Sequence, residues 1–246
     1  MRAVDAVGRG ISKRAVAREL GVSPAAVRHW VTADLEQLRA ARTRSSCGGE
    51  SPCWLASSVP QEAYAYLLGQ YLGDGCISQM KPGVFRLRIT ACSAYPSVEG
   101  EIRAAMAAVF PTSGVGSVER QGCREIYLYS KHAVCLFPQH GAGPKHKRPI
   151  GLSPWQATIV EEHARAFLRG LIHSDGCRVI NKVSVRGRPY EYPRYFFSNR
   201  SPDIRKLFTD ACERLGIEWK QNYTWSISVA RRDSVALLDA FVGPKT

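Results

Sequence analysis

Two aspartates stand in matching surroundings, 175 − 74 = 101 residues apart. Asp74 closes the stretch LLGQYLGDG at 67–75, and Asp175 closes LRGLIHSDG at 168–176. Each carboxylate ends an apolar helical run and is followed at once by glycine. One Asp-Gly of this kind is an ordinary helix-ending turn. Two of them, brought together, carry chemistry. A carboxylate at a helix C-terminus faces the negative end of the dipole, a penalty of a few tenths to about 1 kcal/mol, and two neighbouring carboxylates repel. A divalent cation relieves both. Oxygen ligands favour Mg²⁺, or Mn²⁺ in its place, and such an ion keeps waters and accepts phosphate oxygens. It can activate a water and neutralise the leaving oxygen of a phosphodiester.

The elements that must position these carboxylates are marked by small residues. Glycine inside a helix costs about 1 kcal/mol relative to alanine, so Gly69 with Gly73, and Gly170 with Ser174, ask for compensation. Their i, i+4 spacing puts them on one face. A pair of such faces lets two helices approach more closely than the usual distance of about 8–10 Å. Helix-to-helix packing of the two segments then leaves Asp74 and Asp175 side by side at one end.

The two segments belong to a longer repeat. At an offset of 101, Ala63–Cys76 aligns with Ala164–Cys177, with identity at Ala63, Ala65, Leu67, Gly69, Asp74, Gly75 and Cys76. The same offset places Lys131 on Arg232, Val134 on Val235 and Leu136 on Leu237. GPK at 143–145 recurs at 243–245. Between these anchors 95–105 corresponds to 201–211 with a larger offset, so the second copy has a longer first hairpin, around RGRPYEYP at 186–193. This is a tandem duplication. Each copy reads as helix, strands, helix, strands and a short helix. The segments 84–90 and 224–230 alternate as half-buried strands do, with one face available to a ligand.

The charge balance names the class of ligand. Thirty-four Lys and Arg against 21 Asp and Glu give +13 over 246 residues. Such a surface meets phosphate. No apolar run approaches the roughly 18 residues of a spanning helix, which sets a membrane partner aside, and the N-terminus lacks the apolar core of a signal peptide, so the expected location is cytoplasmic. GPKHKRP at 143–149 is a dense cationic loop where the copies join, and Lys145, Lys147 and Arg148 are expected on phosphates. No GxSxG or Cys-His arrangement supports nucleophilic catalysis. His140, His146 and His173 show no ligand spacing and are taken as DNA-facing or structural.

Ahead of the repeat, residues 11–31 place Ser12 as a helix cap, Ala15, Val16 and Leu20 on one face, and Gly21 as a left-handed stop. Ser23-Pro24 restarts a helix whose inward face is Val27 and Trp30. This resembles the helix-turn-helix of bacterial regulators, and the resemblance implies that Ser23, Ala25, Arg28 and His29 face DNA. Residues 35–60 lose apolar periodicity and read as a linker. Cys47 and Cys53 there can be two zinc ligands, but no second short-spaced pair completes the four that a structural site takes.

At the repeated motif the resemblance is specific. LLGQYLGDG and LRGLIHSDG resemble the two LAGLIDADG motifs of single-chain homing endonucleases, and the likeness continues through Ser130-Lys131, the GPK and GLSPWQ at 151–156. It implies an α+β fold: a pseudo-twofold tandem pair of αββαββα LAGLIDADG domains, 61–150 and 151–246. A small all-α helix-turn-helix domain at 1–34 and a linker at 35–60 precede them. It further implies double-stranded DNA as partner, a monomer that is an internal pseudo-dimer, and Mg²⁺ or Mn²⁺ held by Asp74 and Asp175 at the scissile phosphates. Lys131 and, in the second copy, Arg232 match a basic residue near the reacting water. Arginine at 232 stays protonated and cannot act as a base. The first acidic position of the motif is Leu72 in one copy and His173 in the other. The activity implied is site-specific double-strand DNA cleavage. A DNA-binding transcription regulator on the same scaffold, without strong nuclease activity, is the other function this pattern supports. Intein splicing fits poorly, for want of a Cys or Ser start and a His-Asn end.

Overall fold

The computed structural model describes residues 11–32, 53, 55–185, 187–243 and 245. The chain divides into two compact units, 1–51 and 52–246. In the first, α1 (Lys13–Glu19) and α2 (Pro24–Thr32) form a helical pair. Ser12 Oγ accepts from the Ala15 N–H at 3.2 Å, and Ser23 Oγ from Ala26 N–H at 3.1 Å. Gly21 turns the chain at φ +64°, a conformation that side chains disfavour. Val16, Ala17 and Val27 are buried, whereas Ala15 and Leu20, expected on the inner face, are exposed. The cause is length: α1 has seven residues, and Leu20 already stands at its C-cap, where the chain turns away. The side chains of His29 and Trp30 lie outside the described residues.

The second unit repeats one topology twice. Helix α3 (Gln61–Asp74) leads into β1 (Gly75–Lys81) and β2 (Val84–Cys92), then α4 (Pro96–Val109), β3 (Gly116–Arg120), β4 (Cys123–Ser130) and α5 (Ala133–Leu136). After α6 (Pro154–Glu162), α7 (Ala164–Asp175) opens the second round, with β5 (Gly176–Val185), β6 (Arg188–Ser198), α8 (Pro202–Arg214), β7 (Lys220–Tyr223), β8 (Ser226–Val229) and α9 (Arg232–Val242). The sheets are antiparallel, ordered β1-β2-β4-β3 and β5-β6-β8-β7. The longer first hairpin of the second copy is present: β5 and β6 run 10 and 11 residues, against 7 and 9 for β1 and β2.

The alternation in the sequence becomes two faces. Leu87 and Ile89 of β2 pair with Leu128 and Ile126 of β4 and turn into the core, while Arg86 and Arg88, opposite Tyr129 and Tyr127, turn outward. In the second sheet Tyr195 and Phe197 of β6 are the inner residues. Strand β8 departs from strict alternation, since Ser228 is buried although its register pairs it with outward-facing Phe196. Helix α3 is apolar almost all round because it lies between its own sheet and α7; Tyr64 through Leu72 are all buried.

The stretch expected as a linker to residue 60 joins this unit earlier. Cys53, Leu55, Ala56 and Val59 are buried in the core. They escaped detection because four apolar residues before a helix carry no period. A buried polar chain ties the copies: Gln156 Nε2 donates to Tyr64 Oη at 2.6 Å, and Tyr64 Oη donates to Leu136 O. Gln156 Oε1 also accepts from Gln139 Nε2 at 2.6 Å and from Ser153 N–H at 2.9 Å, closing a capping box at the start of α6. The GLSPWQ lead-in is therefore architectural.

Candidate active site

Helices α3 and α7 meet through bare backbone. A Cβ on Gly69 would lie 2.5 Å from Phe167 O and 2.8 Å from Leu171 N. One on Gly170 would lie 2.2 Å from Tyr66 O, and one on Gly73 would lie 2.3 Å from Ser174 Oγ. No side chain fits at these three positions. Ser174 keeps its hydroxyl within its own helix, donating to Gly170 O and Leu171 O at 3.1 and 3.0 Å.

This seam brings the two helix ends together. Asp175 Oδ2 lies 3.0 Å from the place of a Cβ on Gly73, the residue before Asp74. Asp74 is solvent-accessible and Asp175 partly so, yet protein crowds both. Burial raises the carboxyl pKa of Asp74, against the pull of Lys145 and Lys245. Burial, then repulsion from Asp74, pushes Asp175 up to about 6, against a hydrogen bond from Asn199 and the same two lysines. Asn199 Nδ2 donates to Asp175 Oδ2 at 2.6 Å. A cleft of about 440 Å³ opens here, lined among others by Gly73, Asp175, Asn199, Arg200, Lys145 and Arg148.

The basic residues at the carboxylates come from the repeated GPK. Lys145 Nζ donates to Tyr71 O, Gly73 O and Gly75 O at 2.6, 2.9 and 2.6 Å. Lys245 Nζ donates to Gly176 O. By the repeat, Gly75 and Gly176 are equivalent, so each copy ends by returning a lysine to the glycine after its own aspartate. Carbonyls at the end of a helix run short of intrahelical partners, although Tyr71 O also accepts from the Gly75 N–H that closes α3, and an ammonium there also opposes the dipole. Burial lowers the Lys145 pKa to about 8, with Asp175 and Asp74 holding it up, and burial lowers Lys245 as well.

Lys145 thus differs from the expectation of a phosphate contact, because three carbonyls at the junction of α3 and β1 accept from its ammonium. Arg148 is also turned inward, donating from Nη1 to Gln139 O, and Lys147 is exposed. Lys131 and Arg232, expected beside the reacting water, lie exposed after β4 and at the start of α9, and neither lines the cleft. The downstream GPK was the better signal for the basic partner, and Asn199 had no signal in the sequence. His173, on the motif's first acidic position, is a core residue: its Nε2 meets Val242 O at 3.0 Å and its Nδ1 meets the Tyr66 hydroxyl at 3.2 Å. Burial lowers its pKa to about 4.

The donor set suits a hard divalent cation. Lys145 spends its protons on carbonyls rather than on the carboxylates, and only one oxygen of Asp175 receives a side-chain donor among the described residues. Oxygen acceptors therefore converge where burial and mutual repulsion already oppose two negative charges.

Both outer sheet faces are basic and aromatic. Arg86, Arg88 and Arg120 surround one carboxylate, Glu125, at 3.3, 3.3 and 3.8 Å, which leaves that group of four side chains at +2. Arg86 stacks on Tyr127 at 4.4 Å. On the other sheet Arg194 lies over Tyr192 and Phe196, and Arg200 over Trp225 at 5.0 Å. In the helical pair, Ser23, Ala25 and Arg28 are exposed.

No family model matches the sequence, and no curated protein does. Solved structures do. A variant of the homing endonuclease I-DmoI, with its target DNA and magnesium, is similar at a TM-score of 0.50 over 75% of this chain and 97% of that chain, at 15% identity. The fold is that of the LAGLIDADG homing endonucleases. A second I-DmoI variant, with nicked target DNA and manganese, gives the same values. The N-terminal LAGLIDADG domain of WhiA is similar at a TM-score of 0.46 and 11% identity, over 82% of this chain and 88% of that domain. The segments that resemble the LAGLIDADG motifs are α3 and α7, which end at Asp74 and Asp175.

Proposed function

We propose that this protein is a site-specific double-strand DNA endonuclease that works with Mg²⁺ or Mn²⁺. The observation that carries the reading is the seam of α3 and α7, where close packing at Gly69, Gly73 and Gly170 sets equivalent carboxylates of two copies against each other. Asp74 and Asp175 would hold the cation, which supplies a nucleophilic water and charge neutralisation at phosphorus. Asn199 orients Asp175 through Oδ2. Lys145 and Lys245 keep the helix ends cationic, where phosphate charge concentrates in the reaction. Arg86, Arg88, Arg194 and Arg200 would follow the duplex backbone, with aromatic neighbours fixing their planes. The chain would act as a monomer, since both carboxylates are in one polypeptide.

Cleavage of a plasmid library with Mg²⁺ or Mn²⁺, comparing wild type with Asp74→Asn and Asp175→Asn, tests this. Wild type should cut both strands, and either variant should lose at least two orders of magnitude in rate. Three proteins that bind alike and cut nothing would leave the second reading, a DNA-binding regulator. That reading draws on the α1–α2 pair, whose exposed Ser23, Ala25 and Arg28 follow a capped restart after Gly21. Deletion of residues 1–51 separates the two by removing sequence-specific retention while leaving cleavage.

A further inference from the structure

A group of possible metal donors stands in the first copy, with neither aspartate among its members. Cys53, His132 and Cys135 each offer one ligand atom, and the three atoms lie within 4.8 Å of one another. Cys53 Sγ and His132 Nδ1 are 3.3 Å apart. With Zn–S near 2.3 Å and Zn–N near 2.0–2.1 Å in a tetrahedron, ligand atoms are separated by about 3.8 Å for S···S and about 3.6 Å for S···N. The Cys53–His132 pair is already that close, and Cys135 Sγ lies within 4.8 Å of both. His132 caps α5 and Cys135 lies one turn on, with its N–H donating to His132 O at 3.1 Å, so both side chains start from one rigid turn. Cys53 arrives from the chain ahead of α3, 79 residues earlier, in the stretch that Leu55, Ala56 and Val59 anchor in the core.

The duplication provides an internal control on two of these residues. At the offset of 101, positions 132 and 135 become Asp233 and Ala236. The same corner is therefore built in the second copy without either donor. Packing does not demand them. In the first copy a segment outside the repeat meets the β4–α5 corner, and among the described residues two thiols and an imidazole gather only there.

We propose that Cys53, His132 and Cys135 bind one zinc ion, which fastens the segment before the first LAGLIDADG helix to the β4–α5 corner. Two thiolates and a neutral imidazole form the soft and borderline donor set that selects zinc over Mg²⁺ or Ca²⁺. Binding converts both thiols to thiolates and releases two protons. Cys47, six residues before Cys53, lies outside the described residues. The hydrolytic centre is independent of this site, since it draws on carboxylates only.

The test uses the full chain. Zinc content after purification and dialysis against excess free zinc should be one ion per chain. Replacing zinc by Co²⁺ should give the near-ultraviolet band of thiolate-to-cobalt charge transfer with tetrahedral visible bands. Cys53→Ser with Cys135→Ser should abolish both signals, while Cys123→Ser and the pair Asp74→Asn with Asp175→Asn keep them. Chelation should lower the thermal midpoint of wild type and leave the double cysteine variant unchanged. Wild type with no stoichiometric zinc and no thiolate band overturns the proposal, whatever the variants do, and reduces the cluster to a thiol–imidazole hydrogen bond. Full zinc and a full band in the double cysteine variant overturn it equally.

Discussion

Asn199 donates from Nδ2 to Oδ2 of Asp175 at 2.6 Å, and Asp74 receives no such side-chain donor among the described residues. The position equivalent to Asn199, at the offset of 106 found for this region, is Ser93. The two carboxylates are thus equivalent by descent and unequal in surroundings. Cation binding needs both ionised, so occupancy should fall as pH drops through about 6, where Asp175 takes up its proton. Asn199→Ala removes a bond that favours the charged form. The midpoint of Mn²⁺ binding against pH, followed by thermal shift, should move upward in that variant. An unmoved midpoint would remove Asn199 from the site.

The same carboxylate carries a stability prediction. Its folded pKa lies above the unfolded value of 3.8, so the folded chain holds the proton longer, and stability falls as pH rises from 3.8 to about 6. Above that window the penalty is fully present. Asp175→Asn should therefore raise the metal-free thermal midpoint at pH 8 and change little at pH 3.5. Divalent cation should stabilise wild type at pH 8 and not the variant.

The glycine seam separates steric from propensity effects. Gly170→Ala drives a methyl against Tyr66 O, a backbone atom that cannot step aside. The cost should be about 2–3 kcal/mol in urea unfolding, despite alanine's better helix propensity. Gly100, inside α4, has nothing within 4 Å of its Cβ position. Gly100→Ala should stabilise by about 0.5–1 kcal/mol. Equal effects of the two substitutions would contradict the packing described.

These glycines also show what the sequence discloses and what it conceals. Gly69, Gly73, Gly170 and Ser174 are legible because helix propensity makes each one costly, and repetition at one offset makes coincidence untenable. The sheets are legible from Arg86–Leu87–Arg88–Ile89, where alternation is strict. Lys145 was legible as basic and not as a cap, because its role depends on a loop folding back 70 residues to Gly75. Asn199 and the meeting of Cys53 with His132 and Cys135 are products of tertiary closure, and no local spacing announces them.

Lys145 and Lys147 make a paired test of that loop. Lys145→Met removes one donor from each of the carbonyls of Tyr71, Gly73 and Gly75, a loss of about 1–3 kcal/mol. Lys147 is exposed, so Lys147→Met should leave stability unchanged. If Lys147 meets phosphate, its loss should lower the slope of log affinity against log salt by about 1. A reversed pattern, with Lys147 structural and Lys145 electrostatic only, would refute the assignment.

His173 sets an acid limit on stability. Its folded pKa of about 4 lies below the ordinary 6.5, because burial disfavours the imidazolium. Between those values the unfolded chain binds a proton that the folded chain does not. Stability is therefore fully present above about 6.5 and is lost as pH falls toward 4, by up to about 3 kcal/mol. In His173→Gln the loss over this window should shrink relative to wild type in urea titrations at pH 7 and pH 4.5. Parallel losses would assign the acid sensitivity elsewhere.

Glu125 offers the sharpest test of the sheet as a nucleic-acid surface. It stands on the outward face of β4, paired with Arg86, Arg88 and Arg120, and its carboxylate is largely covered by them. A structural ion-pair network and a DNA-binding face predict opposite results when the carboxylate is neutralised. If the face is structural, Glu125→Gln releases three like charges against one another, and a loss of stability is the whole effect. If it receives phosphate, those guanidiniums become available, while the one anion that would repel the duplex is gone. The DNA-binding reading expects Glu125→Gln to bind duplex several-fold more tightly at low salt, with a steeper salt dependence, and to unfold at slightly lower denaturant. Arg86→Gln should do the reverse for DNA. Unchanged affinity in both variants would move the duplex off this sheet and leave the arginines as partners of Glu125 alone.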